Sequence, residues 1–177
     1  QKLEQMNVDF IVIPCNTAHS FLPQIEKEIK TPIINMIKLT VKEIKLKNPL
    51  IKNVGILSTT GSIKTGLYKE YLGIVGINAI LPTKIDQEIL VMEAIYGKKG
   101  IKAGKKRHAK KLLLQASEKL IKEGADAIIL GCTEIPLVLK QKDFGMKIYD
   151  PMEISAKEII KYVESEKIIN KQFIRKK

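Results

Sequence analysis

The sequence has no Trp, two His, two Cys and only nine Phe plus Tyr in 177 residues. Flat side chains this scarce and scattered give nucleic-acid bases no stacking platform. Cys15 and Cys132 lie 117 positions apart and form no CxxC motif. Two His and no close Cys/His cluster leave zinc without ligands, and no metal is expected. No apolar run approaches the roughly 20 residues that cross a bilayer. The opening Gln1-Lys2-Leu3-Glu4 offers neither a charged leader nor an apolar export segment. Neither membrane insertion nor export is therefore expected. Thiols would then stay reduced, as in a cytoplasmic protein. An initiator Met is also lacking, and the run Lys2-Leu3-Glu4-Gln5-Met6 begins in the manner of a helix interior, so we expect the true amino terminus upstream.

Arg is nearly absent too. Of 31 basic residues only Arg107 and Arg175 are Arg, and the net charge is +12 against 19 acidic residues. A balance of this size ordinarily points to an anionic partner. Here 29 Lys stand beside 29 Ile, a joint excess that reads as the codon bias of an AT-rich genome rather than a groove for phosphates. Nucleic acid is therefore the disfavoured reading. It would rest on the cluster between Lys98 and Lys111, with the cysteines as inert core.

What is present is a hydrophobic content of 45%, enough to bury a core. Six short apolar runs read as buried parallel strands, at 10–14, 32–35, 53–58, 78–81, 127–131 and 147–149. Amphipathic segments separate them. In one, Ala109, Leu112, Leu113, Ala116 and Leu120 share a face opposite Lys110, Lys111, Glu118 and Lys122. The alternation predicts an α/β fold with parallel sheets flanked by helices.

The chain also repeats itself. An offset of 117 pairs Asp9-Phe10-Ile11-Val12-Ile13-Pro14-Cys15 with Asp126-Ala127-Ile128-Ile129-Leu130-Gly131-Cys132. An offset of 115 pairs Leu39-Thr40-Val41-Lys42-Glu43-Ile44 with Ile154-Ser155-Ala156-Lys157-Glu158-Ile159. Each half holds strand, Cys, helix, strand, helix, which predicts two similar lobes related by approximate two-fold symmetry. We expect a first lobe at 1–48 plus about 148–177 and a second at 49–147, with the strand at 147–149 and the helix at 154–164 returning to the first. The second unit opens near Asn53, so its mate would open about 64 residues before Gln1, and the first lobe is incomplete.

Each Cys follows a strand at the point where a helix is expected. In open α/β sheets that crevice binds ligands, and free N–H groups of a helix turn favour negative charge, so a thiol there should ionise readily. A lone Cys at such a place is commonly a small core residue. Two at equivalent positions of a repeat argue for a shared site. Thiols facing each other across two lobes suit one reaction in particular. One removes a proton from a carbon acid and the other delivers a proton to the opposite face, which inverts the carbon.

Pro14-Cys15-Asn16-Thr17-Ala18-His19 and Gly131-Cys132-Thr133-Glu134-Ile135-Pro136-Leu137 closely resemble the paired cysteine motifs of the aspartate/glutamate racemase family. The stretch Ile95-Tyr96-Gly97-Lys98-Lys99-Gly100-Ile101-Lys102-Ala103-Gly104 is similar to the segment between them. The resemblance implies an isomerase, a cofactor-independent amino-acid racemase using neither pyridoxal phosphate nor metal. Its substrate would be a dicarboxylic amino acid held in a cleft between two α/β lobes.

Carried residue by residue, the resemblance makes Cys15 and Cys132 the acid/base pair. Asn16 and Thr17 would hold the substrate carboxylate beside Cys15, Thr133 would serve similarly near Cys132, and Lys102 would reach the distal carboxylate. Asn and Thr at these places are equally good helix caps, and Lys102 sits among solvated lysines. Glu134 stands where glutamate racemases tend to carry His, which implies the aspartate racemase branch and a role in orienting the site or capping its helix. His19 reads as structural rather than catalytic. Glutamate or broad-specificity racemases, maleate isomerases and hydantoin racemases are the alternatives, though the non-racemase relatives typically alter one motif. The family often forms homodimers. Its Gly-rich first turn and further substrate contacts have no counterpart in this chain, which alone would be inactive if they are essential.

Overall fold

The computed structural model describes residues 2–174, with side chains described over 2–164. Gln1 and residues 175–177, expected in the first lobe, lie outside the described residues. All six expected strands form, each shorter than or equal to its apolar run. They are β1 (Ile11–Val12), β2 (Ile33–Ile34), β3 (Asn53–Leu57), β4 (Asn78–Ile80), β5 (Ala127–Leu130) and β6 (Lys147–Tyr149). The helices are α1 (Lys2–Gln5), α2 (Leu22–Glu28), α3 (Met36–Lys47), α4 (Thr60–Lys64), α5 (Leu67–Ile74), α6 (Lys84–Asp86), α7 (Glu93–Tyr96), α8 (Lys106–Lys122) and α9 (Pro151–Ile174). A π-helical stretch, Gln87–Met92, joins α6 to α7. Among the described residues no helix is long and apolar enough to cross a membrane.

Every pairing is parallel. β1 and β2 form a two-stranded sheet, and the order β4-β3-β5-β6 forms a four-stranded one. The repeat is carried into the register. Ile11 opposes Ile33 and Val12 opposes Ile34 in the small sheet, while Ile128 opposes Ile148 and Ile129 opposes Tyr149 in the large one. The offsets of 117 and 115 convert the first pairs into the second. The helices that follow are capped alike. Asn35 accepts the Lys38 N–H at 2.9 Å, and its mate Asp150 accepts the Met152 N–H at 2.9 Å.

The large sheet is covered on both faces, as a central parallel sheet requires. Val54, Ile56, Ala127, Ile129 and Tyr149 pack against Met36, Ile37, Val41 and Ile44 of α3 and Tyr68 and Leu72 of α5. On the other face Leu57, Ile128 and Leu130 pack against Ala109, Leu113, Ala116 and Leu120 of α8 and Leu90, Val91, Ala94 and Ile95 of the preceding helical segment. The apolar face expected for α8 is the buried one. Gly55 lets α8 approach, since a Cβ there would lie 2.6 Å from Ile128 Cδ1 and 3.2 Å from Leu120 Cβ.

Two expectations are corrected. The strand at 147–149 does not return to the first lobe, because β6 pairs with β5 at the edge of the large sheet. Its mate β2 likewise pairs within its own sheet, so the crossing happens one element later, at the helix. Thus α3, assigned with residues 1–48 to the first lobe, builds the core of the large sheet. In turn α9 packs on α3, and its Tyr162 ring meets Phe10, just before β1, edge-on at 5.7 Å. The second correction concerns the segments after the cysteines. A 3₁₀ helix, Thr17–Phe21, precedes α2, and only the 3₁₀ turn Ile135–Leu137, with Pro136 in its first turn, follows Cys132.

The tight approach at Gly55 yields a paired expectation. Gly55→Ala should destabilise the fold by about 1–3 kcal/mol through overpacking. Gly73→Ala, inside α5 where a Cβ meets nothing within 4 Å, should stabilise it by about 0.5–1 kcal/mol. Urea unfolding of both variants measures the difference.

Candidate active site

The carboxyl ends of β1, β3 and β5 carry the residues that follow. After β1, Ile13 and Pro14 lead to an exposed Cys15. The Cys15 N–H donates to the Ile13 carbonyl at 2.8 Å, a tight turn. Its carbonyl lies 2.8 Å from His19 Nδ1. His19 is buried, and its Nε2 lies 3.1 Å from the Met36 backbone N–H. A backbone N–H can only donate, so Nε2 accepts and Nδ1 carries the proton that bonds Cys15. Both ring nitrogens are therefore occupied in pinning the Cys15 turn to the start of α3, which makes His19 structural.

Asn16 and Thr17 face the β3 end rather than capping their own helix, for Asn16 makes no side-chain cap bond. Tyr68 of α5 donates its hydroxyl to Asn16 Oδ1 at 2.6 Å, and Thr17 Oγ1 lies 3.4 Å from Thr59 Oγ1. The ring of Tyr68 reaches the other motif, where a Cβ on Gly131 would lie 3.1 Å from Tyr68 Cε2. One side chain thus touches the neighbour of Cys15 and the neighbour of Cys132. Burial, with the Asp150 charge adding to it, pushes the Tyr68 phenol well above its ordinary pKa, so it acts as a donor.

Cys132 is buried and donates its thiol to Glu134 Oε2 at 2.9 Å. Thr133 Oγ1 donates to the same oxygen at 3.0 Å, and Lys102 Nζ lies 3.4 Å from Oε1. Lys102 also stands 4.8 Å above the Tyr96 ring. Glu134 makes no side-chain cap bond to the turn it precedes. The expectation of a readily ionised thiol is reversed here. Burial first, and the bond to Glu134 second, push Cys132 up to about 12. A single 3₁₀ turn provides too few aligned N–H groups to offset them. For Glu134, burial acts upward but is outweighed by the Cys132, Thr133 and Lys102 donors, which hold its carboxyl below the usual range.

The structure therefore links Asn16 to Gly131 through Tyr68, sets Thr17 against Thr59, and ties Lys102 to Glu134. It also adds residues the sequence reading missed. Ser58 Oγ donates to the Gly131 carbonyl at 2.6 Å, and Gln87 Nε2 donates to the Ser58 carbonyl at 2.9 Å. The signal available for them was the polar run Ser58-Thr59-Thr60 at the end of a buried strand, where α/β sheets place their ligands. Among the described residues no three His, Cys, Asp or Glu side chains gather as metal ligands would.

In a Cys15→Ser background, Glu134→Gln should bring Cys132 ionisation down from about 12 towards the ordinary thiol range, without reaching it because burial persists. Ultraviolet thiolate absorbance followed against pH reads the shift. An unmoved titration would mean that the carboxylate has no part in it.

Known proteins resemble this chain in sequence and in fold. The broad specificity amino-acid racemase RacX of Bacillus subtilis is 30% identical over 159 residues, covering 90% of this chain and 66% of that protein. The glutamate racemase of Aquifex aeolicus is 27% identical over 168 residues, covering 93% and 62%. Among solved structures, the aspartate racemase of Picrophilus torridus superposes with a TM-score of 0.74 at 30% identity, covering 90% of this chain and 64% of that one. An aspartate racemase homologue from Pyrococcus horikoshii gives 0.73 at 25%, covering 92% and 70%. The chain thus spans about two thirds of the length of these proteins. A model of the Asp/Glu/hydantoin racemase family matches residues 1–159, and with the cysteine motifs, the parallel sheets and these relatives in agreement, the chain belongs to that family.

Proposed function

We propose that the whole protein racemises an acidic amino acid, aspartate in preference to glutamate, with Cys15 and Cys132 working on opposite faces of Cα and no cofactor. The observation that carries this reading is Tyr68, which touches both cysteine motifs at once. Supporting it, Cys132 rests as a thiol bonded to a carboxylate. In one direction the Cys15 thiolate takes the Cα proton and the Cys132 thiol donates its own to the opposite face. In the other the roles reverse, the Cys132 thiolate left by that transfer taking the Cα proton while the Cys15 thiol donates its own. Each turnover moves one proton from carbon to a thiol and one from the other thiol to carbon, and Glu134 stays ionised, as its donors hold it.

Asn16, Thr17 and Thr133 would hold the α-carboxylate, and Lys102 would turn between Glu134 and the distal carboxylate. The preference for aspartate rests on Glu134 and on the likeness to aspartate racemases. Glutamate and broad-specificity racemases among the relatives keep those substrates as the second reading. The two similar lobes expected from the repeat, with the cleft between them, would give both hands of the substrate nearly equal treatment, and the cytoplasm, where thiols stay reduced, is where such chemistry fits.

Cys15→Ser and Cys132→Ser should each lower racemisation by about 10²–10⁴-fold or more. Each single variant should still exchange the Cα proton of one enantiomer with D₂O, because one base remains. Chiral chromatography with aspartate, glutamate and maleate, alongside proton NMR in D₂O, provides both readouts. A double variant that racemises at the wild-type rate would end the two-thiol mechanism, and activity lost on removing pyridoxal phosphate would end the cofactor-free one.

A further inference from the structure

Three buried side-chain polar atoms lack a partner among the described residues: Asn16 Nδ2, Gln87 Oε1 and Ser155 Oγ. Asn16 alone adjoins a cysteine of the site. It is 3% exposed, and a buried donor without an acceptor costs stability unless something completes it. Which end of an Asn amide is left open depends on what holds the other end, since the two orientations have nearly the same shape. In this protein the holder is Tyr68. Its hydroxyl, 2.6 Å away, donates to Oδ1 and so leaves the NH₂ group as the open end. Tyr68 is itself fixed, being 4% exposed with its ring edge seated against Gly131.

We propose that Tyr68 is a positioning residue that holds the Asn16 amide with its NH₂ group open as a donor to the substrate carboxylate. This rests on the racemase reading and assigns a role outside both cysteine motifs. An amide free to turn would present Oδ1 to the carboxylate part of the time, an acceptor facing an anion. The carboxylate is common to both hands of the substrate and is bound throughout the reaction. Loss of the orientation should therefore weaken binding of both enantiomers alike and leave the proton transfers nearly untouched.

Tyr68→Phe keeps the ring against Gly131 and removes only the hydroxyl. Steady-state kinetics of the whole protein with D- and L-aspartate should show KM raised about tenfold for both, with kcat within about twofold of wild type. A purely structural role would lower the melting temperature or the active fraction, reducing kcat with KM unchanged, and either that pattern or an unaltered KM would overturn the proposal. Should the variant not fold, NMR of the wild-type protein decides. A protected Tyr68 hydroxyl proton and Asn16 side-chain amide resonances that move on adding aspartate are expected, and unmoved resonances would overturn it. A wild-type protein that neither racemises nor exchanges any acidic amino acid would overturn the racemase reading instead.

Discussion

The pairing of β3 with β5 is the constraint on which the rest depends. Both strands are buried on both faces, and their side chains alternate between the α3–α5 layer and the α8 layer. Parallel pairing brings their carboxyl ends level, and there the character of the sequence changes at once from aliphatic to polar. Gly131 N–H donates to the Leu57 carbonyl at 2.7 Å, and the Ser58 hydroxyl closes the same step at 2.6 Å. Cys132 follows immediately. Its position is thus set by a hydrogen-bonded ladder and two packed faces rather than by a free loop, the kind of support that holds a reactive group to small displacements.

A single carboxylate organises the electrostatics around it. Glu134 gathers a thiol, a hydroxyl and an ammonium group, so the charge of Lys102 is spent locally and the thiol is kept neutral. Lys102 is about half exposed and Glu134 about a quarter, which leaves the pair screened by solvent and cheap to separate. A lysine bound so loosely can exchange partners. A buried ion pair would resist this, since breaking it would strand a desolvated charge.

Much of the fold was legible because burial on two faces writes itself as uninterrupted aliphatic runs. All six strands and the buried face of α8 followed from that pattern, and the register of β1 with β2 maps onto that of β5 with β6 through the repeat offsets. The sequence could not disclose which sheet each helix would cover. An amphipathic helix such as α3 carries the same periodicity whether it packs behind its own strand or across the molecule. At the site, the two cysteines stood out as equivalent positions of the repeat, and their polar neighbours only through the family resemblance. Tyr68 was not, being one tyrosine in an ordinary amphipathic segment whose hydroxyl acquires meaning only when α5 docks beside Asn16. The Cys132 thiol misled in a different way. Position after a strand pointed to easy ionisation, but burial and an adjacent carboxylate, both tertiary effects, act in the opposite direction.

The placement of α3 ties the two sheets to one fate. Met36, Ile37, Val41 and Ile44 follow directly on β2, yet they complete the hydrophobic face of the large sheet. The small sheet cannot peel away without drawing on α3, through the single residue Asn35 between Ile34 and Met36 and through the bond from the Met36 N–H to His19. Two lobes that each kept a core of their own could melt in two stages. This molecule has its weaker half sewn into the core of the stronger, so thermal unfolding should register as one cooperative transition, with no stage at which the cysteine turns are lost and the large sheet keeps its full cover.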